Sequence, residues 1–135
     1  MTQVIVFTID GEKYGIDVDH VQSVERVEQM TRVPGTAQEV LGVMNMRGAI
    51  TTLIDLRIVM GKPAAKLTKN TRLLLLATED DPLGVMVDEA REVIQIEEDE
   101  VSDSLSSSSN SAISQGVVKR GDELIFMIDA TMIYN

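Results

Sequence analysis

Residues 4–18 read Val-Ile-Val-Phe-Thr-Ile-Asp-Gly-Glu-Lys-Tyr-Gly-Ile-Asp-Val, and this stretch decides the fold class. The apolar run from Val4 to Ile9 ends at Asp10-Gly11, a pair that is typical of a two-residue hairpin turn. The chain then resumes from Tyr14 to Val18 with an apolar residue at every second position. The stretch therefore predicts a β-hairpin.

Most other apolar segments are also short, rich in Val and Ile, and bounded by Gly, Pro or acidic turns, which indicates strands rather than long helices. Loops are predicted at Gly61 to Asn70 and at the serine-rich stretch Ser102 to Ser114. We therefore expect an all-β protein. Its further strands are predicted at Val21 to Val27, Val40 to Arg47, Ile50 to Ile54, Leu73 to Thr78, Leu83 to Val87, Ala90 to Ile96, Gly116 to Arg120 and Leu124 to Ile128.

The chain also resembles itself. A shift of 69 residues lays Val4 to Val24 on Leu73 to Val93 without a gap, and a later shift of 74 lays Gly42-Val43 on Gly116-Val117. We interpret this as two copies of one five-stranded unit, roughly residues 1–66 and 67–135. A copy of this size buries only about 60% of its unfolded surface. We therefore expect an apolar interface between the two copies.

The amino-acid composition excludes several classes of function. A net charge of −10, from 22 acidic and 12 basic residues, repels nucleic acids and anionic lipid. The absence of cysteine excludes disulfides, thiolate zinc sites and a cysteine nucleophile, and favours an intracellular chain. The longest apolar run, Leu73 to Ala77, is far shorter than the roughly 20 residues that span a bilayer, and no basic segment opens the chain. A soluble, cytoplasmic protein is expected.

Residues suited to metal, nucleotide or histidine chemistry are few. His20 is the only histidine and has no serine or cysteine motif to form a relay with. Asp17 and Asp19 lack the spacing of a calcium loop, and a solvated edge explains them better. Asp80-Asp81-Pro82 indicates a turn, and no glycine-rich phosphate loop precedes a helix. We predict no metal site and no cofactor.

Asp55 and Asp129 end equivalent strands of the two copies, and they allow three interpretations. An acid-protease dyad needs an Asp-Thr-Gly or Asp-Ser-Gly turn, which is missing here. A phosphoacceptor in a receiver-type domain needs helices between the strands, and none are visible. The third interpretation is that each aspartate caps a short helix, Leu56 to Met60 and Ala130 to Ile133.

The segment from Val40 to Arg57 reads Val-Leu-Gly-Val-Met-Asn-Met-Arg-Gly-Ala-Ile-Thr-Thr-Leu-Ile-Asp-Leu-Arg. It resembles the Gly-Val-x-Asn-Leu-Arg-Gly…Asp-Leu-Arg signature of the CheW-like chemotaxis coupling proteins. Met46 replaces the usual Leu, and Thr52 stands where that family generally has Pro. The resemblance extends from Phe7 to the C-terminal pattern Gly116-Val117…Ile128-Asp129, and so covers nearly the whole chain.

The resemblance implies a single domain over residues 1–135, built as two intertwined five-stranded SH3-like β-barrels with short terminal helices. It implies a non-catalytic adaptor, not an enzyme, that binds the regulatory domain of the chemotaxis histidine kinase and the tip of methyl-accepting chemoreceptors. The protein would be recruited to receptor arrays without touching the membrane. The kinase should contact a barrel end made of strand edges and apolar turns, whose residues the resemblance does not name.

The resemblance also implies a receptor-binding set, and for Arg47, Gly42 and the valines of this set the residues allow a structural alternative. Arg47 could bridge to receptor carboxylates or pin its own turn. Gly42 could admit a partner or form a bulge. The valines could line a groove for a helix tip or belong to the core. One member, Ser23, stands where many family members have Glu. The full set is Val21, Ser23, Val24, Gly42, Asn45, Arg47 and Val87.

Overall fold

The computed structural model describes residues 1–46, 48–64, 66–78, 81–102 and 114–134, with only the backbone of Ser114, Gln115, Met132 and Tyr134. Within these residues the chain forms eleven strands and two short α-helices, in addition to the single 3-10 turns Val18–His20 and Glu98–Glu100. The strands are β1 (Thr2–Ile9), β2 (Glu12–Asp17), β3 (Val21–Glu25), β4 (Val40–Met46), β5 (Ala49–Asp55), β6 (Arg72–Leu76), β7 (Leu83–Val87), β8 (Glu89–Ile96), β9 (Val101–Ser102), β10 (Ser114–Arg120) and β11 (Glu123–Ile128), and the helices are α1 (Leu56–Val59) and α2 (Thr131–Tyr134).

The strands form two sheets, which we call the six-stranded barrel (order β8-β1-β2-β11-β10-β9) and the five-stranded barrel (order β3-β6-β7-β5-β4). Each barrel takes the first two strands of one half of the chain and the later strands of the other half. The two parallel pairs, β2 with β11 and β5 with β7, join strands from different halves. The all-β, intertwined architecture is thus confirmed, and β9 adds a short strand that the sequence pattern did not predict.

Strand alternation divides the apolar side chains among three cores. Along β1, Val4 and Val6 face the interior of the six-stranded barrel, whereas Ile5, Phe7 and Ile9 face a core shared by both barrels. Both faces of β1 are therefore buried, which explains its uninterrupted run of apolar residues. The five-stranded barrel has its own core of Met44, Leu53, Leu73 and Met86. The shared core is the apolar interface expected between the copies.

Bulges recur at positions that the self-comparison pairs. The β3–β6 ladder skips Gln22, and the β8–β1 ladder skips Arg91, which lies 69 residues later. The ladders of β4 and β10 shift register just before Gly42 and Gly116, which lie 74 residues apart. The duplication and its boundary near residue 66 nevertheless remain a prediction, because each barrel mixes strands from both halves.

The predicted helix caps are confirmed. Asp55 Oδ1 accepts a hydrogen bond of 2.9 Å from the backbone N–H of Arg57 at the start of α1. Asp129 Oδ1 accepts one of 3.0 Å from the N–H of Thr131, and another from its hydroxyl. Both carboxylates therefore supply the hydrogen-bond acceptors that a helix N-terminus lacks.

The predicted loops are only partly covered. The described residues of Gly61 to Asn70 contain no strand or helix. Most of the serine-rich stretch, residues 103–113, lies outside the described residues, as does Asp80 of the predicted Asp80-Asp81-Pro82 turn. Asp81 and Pro82 directly precede β7.

Candidate functional site

The β4–β5 hairpin carries the residues at the centre of the sequence motif. Asn45 Oδ1 accepts a hydrogen bond of 3.1 Å from the backbone N–H of Gly48, so this side chain closes its own turn while remaining exposed. Gly48 has a φ of +84°, which favours glycine at this turn. Arg47, the other polar residue of the predicted receptor-binding set on this hairpin, lies outside the described residues.

Gly42 is required by a contact within the chain. It follows a bulge in β4, and a Cβ atom at this position would lie 2.3 Å from the carbonyl oxygen of Thr31. Thr31 and Val43 exchange two backbone hydrogen bonds of 2.8 Å, which hold the segment after β3 against β4. The close approach that only glycine allows is thus made here by the chain's own backbone.

The predicted receptor-binding residues on β3 differ in accessibility. The side chain of Val24 is 42% exposed, whereas Val21 packs partly against the shared core. The hydroxyl of Ser23 is buried and has no hydrogen-bond partner among the described residues. Val87, on β7, is buried in the shared core. Of the described members of the set, Val24 and Asn45 therefore offer side chains directly to solvent.

The end of β3 and the β4–β5 hairpin flank one groove of about 350 Å³, which we call the β3 groove. The fold therefore brings Asn45 and the β3 strand together, although the side chains of β3 that face the groove are not those of the predicted set. The groove is lined on the β3 side by Gln22, Glu25 and Arg26 and on the hairpin side by Met44, Asn45, Met46 and Ala49.

Apolar side chains of the hairpin and of the segment after β3 keep part of their surface exposed. Ile50 is 61% exposed on the outer face of the hairpin, whereas Met46, Val27 and Met30 are partly buried against the barrel core. We call Ile50, Met46, Val27 and Met30 the hairpin surface. Ile50 is not among the residues predicted to bind a partner, although the strand period puts it on the face opposite Thr51 and Leu53, which are buried.

A further groove of about 670 Å³ lies between α1, α2, the start of β4 and the turn between β6 and β7. Val40, Ile58, Leu83 and Ile133 are among the apolar residues that line it. None of the predicted receptor-binding residues that the structure describes lines this groove.

A cluster of ion pairs connects the two barrels. The guanidinium of Arg57, whose side chain is 16% exposed, lies 2.6 Å from Asp10 Oδ1 and 2.7 Å from Asp88 Oδ2, and its Nε donates to the carbonyl of Pro63 at 3.0 Å. Asp10 sits in the β1–β2 turn, Asp88 between β7 and β8, and Arg57 in α1. The last residue of the Asp-Leu-Arg motif therefore has a structural role, which sequence reasoning missed.

Within the described residues, no group of three or more His, Asp or Glu side chains could hold a metal ion. Asp17 and Asp19, which the sequence analysis weighed as ligands, belong to one turn, where Asp17 Oδ1 accepts a hydrogen bond of 2.9 Å from the N–H of Asp19. This bond caps the 3-10 turn that ends at His20.

Comparison with known proteins relates this architecture to one family. The family model described as the CheW-like domain matches residues 3–135. The chain belongs to the CheW-like domain family. The resemblance inferred from the β4–β5 motif is thereby confirmed over nearly the full length of the chain.

Relatives of this CheW-like chain include two that are named "Chemotaxis protein CheW". The protein of Bacillus subtilis (strain 168) is 36% identical over 134 residues, which cover 97% of this chain and 85% of the relative. The protein of Helicobacter pylori (strain ATCC 700392 / 26695) is 35% identical over 129 residues, which cover 93% of this chain and 77% of the relative.

A solved structure of the same family has the same fold. The crystal structure of the scaffolding protein TtCheW from Thermoanaerobacter tengcongensis matches with a TM-score of 0.88 and 26% sequence identity, over 99% of this chain and 88% of the other. In the described part of this CheW-like chain, no helix is long and apolar enough to cross a bilayer.

Proposed function

We propose that this CheW-like protein is a non-catalytic chemotaxis adaptor that couples methyl-accepting chemoreceptors to the chemotaxis histidine kinase by binding both. Its relatives carry the name of a chemotaxis protein, and its structural neighbour is described as a scaffolding protein. The observation that carries the proposal is the hairpin surface, in which Ile50 is 61% exposed on the same hairpin as Asn45 of the β3 groove.

The hairpin surface is the proposed kinase contact. Large exposed apolar side chains at the end of a barrel mark interaction sites, since water disfavours them and a partner can cover them. Ile50 lies near the tip of the β4–β5 hairpin, and the flexible side chains of Met46 and Met30, which are partly buried, can adjust to a partner. A kinase regulatory domain with the same barrel fold would stack end to end on this patch.

The β3 groove is the proposed receptor contact. Asn45 would contact the receptor tip directly, and the apolar hairpin residues of the groove would receive its helix. Val24 does not line the groove and would contact the receptor beside it, as an exposed side chain of β3. Ser23, Gly42 and Val87 would contribute by shaping the strands around the groove. Val21 would contact the receptor with the part of its side chain that is exposed. Arg47 remains in the proposed receptor-binding set because of its position in the sequence motif alone.

Coupling would follow from the closeness of the two contacts. Asn45 and Met44 line the β3 groove and also a shallow groove that contains Ile50. An adaptor that binds receptor and kinase together raises their local concentration and links their states without making or breaking a bond. The whole chain, residues 1–135, would act as one domain, without a cofactor, at receptor arrays in the cytoplasm.

A phosphoacceptor or hydrolase centred on Asp55 is the alternative. Asp55 is fully buried and is already engaged with the start of α1, which disfavours a role that needs solvent access. Turnover or phosphate uptake that is lost in an Asp55→Asn variant would favour this alternative over the adaptor.

The proposal is tested by co-sedimentation with a receptor signalling fragment and by measuring kinase affinity separately. We expect Ile50→Glu to abolish kinase binding and to spare receptor binding, and Val24→Glu to do the reverse. Leu124→Glu is the matched control, because Leu124 is the counterpart of Ile50 under the 74-residue shift and is 40% exposed. An adaptor that assembles normally with both partners after the Ile50 and Val24 substitutions would overturn the assignment.

A further inference from the structure

The outer edge of β8 is open. β8 (Glu89–Ile96) is the terminal strand of the six-stranded barrel and, among the described strands, pairs only with β1. Its register with β1 is continuous from Glu92 to Ile96, after the bulge at Arg91. A free edge of this kind presents backbone N–H and C=O groups that lack strand partners.

One contact shows which backbone groups face outward. The carbonyl of Gln95 accepts a hydrogen bond from the guanidinium of Arg120, a residue of β10, so it points away from β1. In an antiparallel strand the N–H and C=O of one residue point to the same side, and the side alternates along the strand. Val93, two residues earlier, therefore directs both of its backbone groups to the open edge.

The side chains on this edge do little to protect it. Natural edge strands are commonly guarded by lysine, proline, other charged residues or a bulge. β8 contains neither lysine nor proline, and its bulge and charged residues lie between Glu89 and Glu92, before Val93. Val93 is 56% exposed in the middle of the regular part of the strand. Under the 69-residue shift its counterpart is Val24, which is 42% exposed on β3, the corresponding edge strand of the five-stranded barrel.

The charge around the edge is strongly negative. Arg91 is the single cationic residue between positions 89 and 100, and it pairs with Glu89 at 2.9 Å. Glu92, Glu98 and Asp99 have no ion-pair partner among the described residues. The carboxylates of this stretch are Glu89, Glu92, Glu97, Glu98, Asp99 and Glu100.

We propose that the free edge of β8 is a third docking surface, which binds an extended, cationic segment of a partner protein as an additional strand. Backbone hydrogen bonds to Val93 and to the N–H of Gln95 would align the segment. Its lysine or arginine side chains would meet Glu92 and the acidic turn after β8, and an apolar residue would cover Val93. A second copy of this chain fits less well, because it would oppose two acidic edges.

The experiment uses the full chain and a capped peptide of alternating lysine and valine residues that matches β8 in length. We expect the peptide to slow amide hydrogen exchange at Val93 and Gln95 and to bind more weakly as salt is raised. Val93→Pro removes an N–H that β1 does not use, so the fold should tolerate it while the peptide binds about tenfold more weakly. Val24→Pro, the same change on the other edge strand, should leave peptide affinity unchanged.

Charge reversal provides a second variant that leaves the backbone intact. Glu92→Lys should weaken binding of the lysine-valine peptide and should allow binding of a glutamate-valine peptide, which the natural chain does not bind. The proposal is overturned by unchanged exchange at Val93 and Gln95, by equal effects of the two proline variants, or by self-association through β8 in the absence of peptide.

Discussion

At the scale of single residues, the buried hydroxyl of Ser23 is a polar group that costs stability. Its Oγ has no hydrogen-bond partner among the described residues, and burying such a group without a partner costs about 1 kcal/mol or more. We expect Ser23→Ala to raise the free energy of unfolding by about 1 kcal/mol, measured by urea denaturation.

The control for Ser23 is a hydroxyl that is satisfied. Thr71 is buried, and its Oγ1 accepts a hydrogen bond of 2.9 Å from the N–H of Thr68. Thr71→Val keeps the volume but leaves that N–H unpaired, so it should lower stability by about 1 kcal/mol. If both substitutions shift stability in the same direction, the difference in hydrogen bonding is not what decides their effects.

Tyr14 provides a pH dependence at the same scale. Burial raises the pKa of its hydroxyl above the usual value of 10.0, and the nearby carboxylates of Glu12 and Asp10 add to the rise. The unfolded chain therefore releases this proton at lower pH than the folded protein does. The contribution of Tyr14 to stability is complete below about pH 10 and is lost as the pH rises toward the folded-state pKa.

The measurement for Tyr14 uses Tyr134→Phe, which leaves one tyrosine of the two in the sequence. Ultraviolet absorbance should then show tyrosinate forming above pH 10 in the folded protein, and near pH 10 in denaturant. Tyr14→Phe should reduce the loss of stability in alkali. A folded-state titration at or below the denatured one would contradict the burial argument.

At the scale of elements, Arg57 joins three of them, namely α1, the β1–β2 turn and the junction of β7 and β8. Its removal would take away the cation that Asp10 and Asp88 share and would leave Asp10 with only Lys62, whose Nζ lies 3.6 Å from Asp10 Oδ2. We expect Arg57→Met to lower the free energy of unfolding by about 2 kcal/mol, a value between those of exposed and buried ion pairs.

The control is an exposed pair on one strand. Arg91 is 45% exposed, and its one ion-pair partner among the described residues is Glu89 of the same strand, so Arg91→Met should change stability by less than about 0.5 kcal/mol. Arg57→Lys should recover only part of the loss, because an ammonium group cannot reproduce the forked contacts of a guanidinium. Full recovery with lysine would mean that charge alone, and not geometry, matters at this position.

At the scale of the whole molecule, the exchange of strands makes each half of the chain dependent on the other. A fragment of residues 1–66 would contain β1 and β2 without β8 and β11, which are their neighbours in the sheet. Both faces of β1 would then lose their apolar partners. We expect fragments 1–66 and 67–135 to be unfolded separately by circular dichroism and to fold when they are mixed.

The mixing experiment has a clear contrary outcome. If each barrel were made of one contiguous half, either fragment would fold alone and the mixture would add nothing. The intact chain serves as the reference for the spectrum of the recombined fragments.

Much of the fold could be predicted because strands follow local rules. Asp10-Gly11 between two apolar segments specifies a hairpin, and alternation assigns side chains to faces wherever one face is buried. The caps Asp55 and Asp129 were also predictable, since an acidic residue before a short apolar turn satisfies free N–H groups whatever lies around it. The family followed from the motif between Val40 and Arg57.

The functional surfaces were less predictable, because accessibility depends on residues that are distant in the chain. Val24 and Val87 are both valines on strands, yet one is exposed on an edge strand and the other is buried in the shared core. The sequence pattern around Gly42 was compatible with a partner contact and with a bulge. The structure decides between them, because the backbone of Thr31 lies against this glycine. Ile50 and Arg57 gained their significance only from their neighbours in space.

The amino-acid sequence alone determined the local structure of the predicted strands, turns and caps, because hairpin turns, strand alternation and helix caps depend on residues only a few positions apart. The tertiary structure was needed to decide which strands share a barrel, which faces remain exposed to solvent and which charged residues form pairs. Those outcomes depend on contacts such as Arg57 with Asp88, 31 residues apart, because the free energy of burial is shared among segments that no local pattern connects.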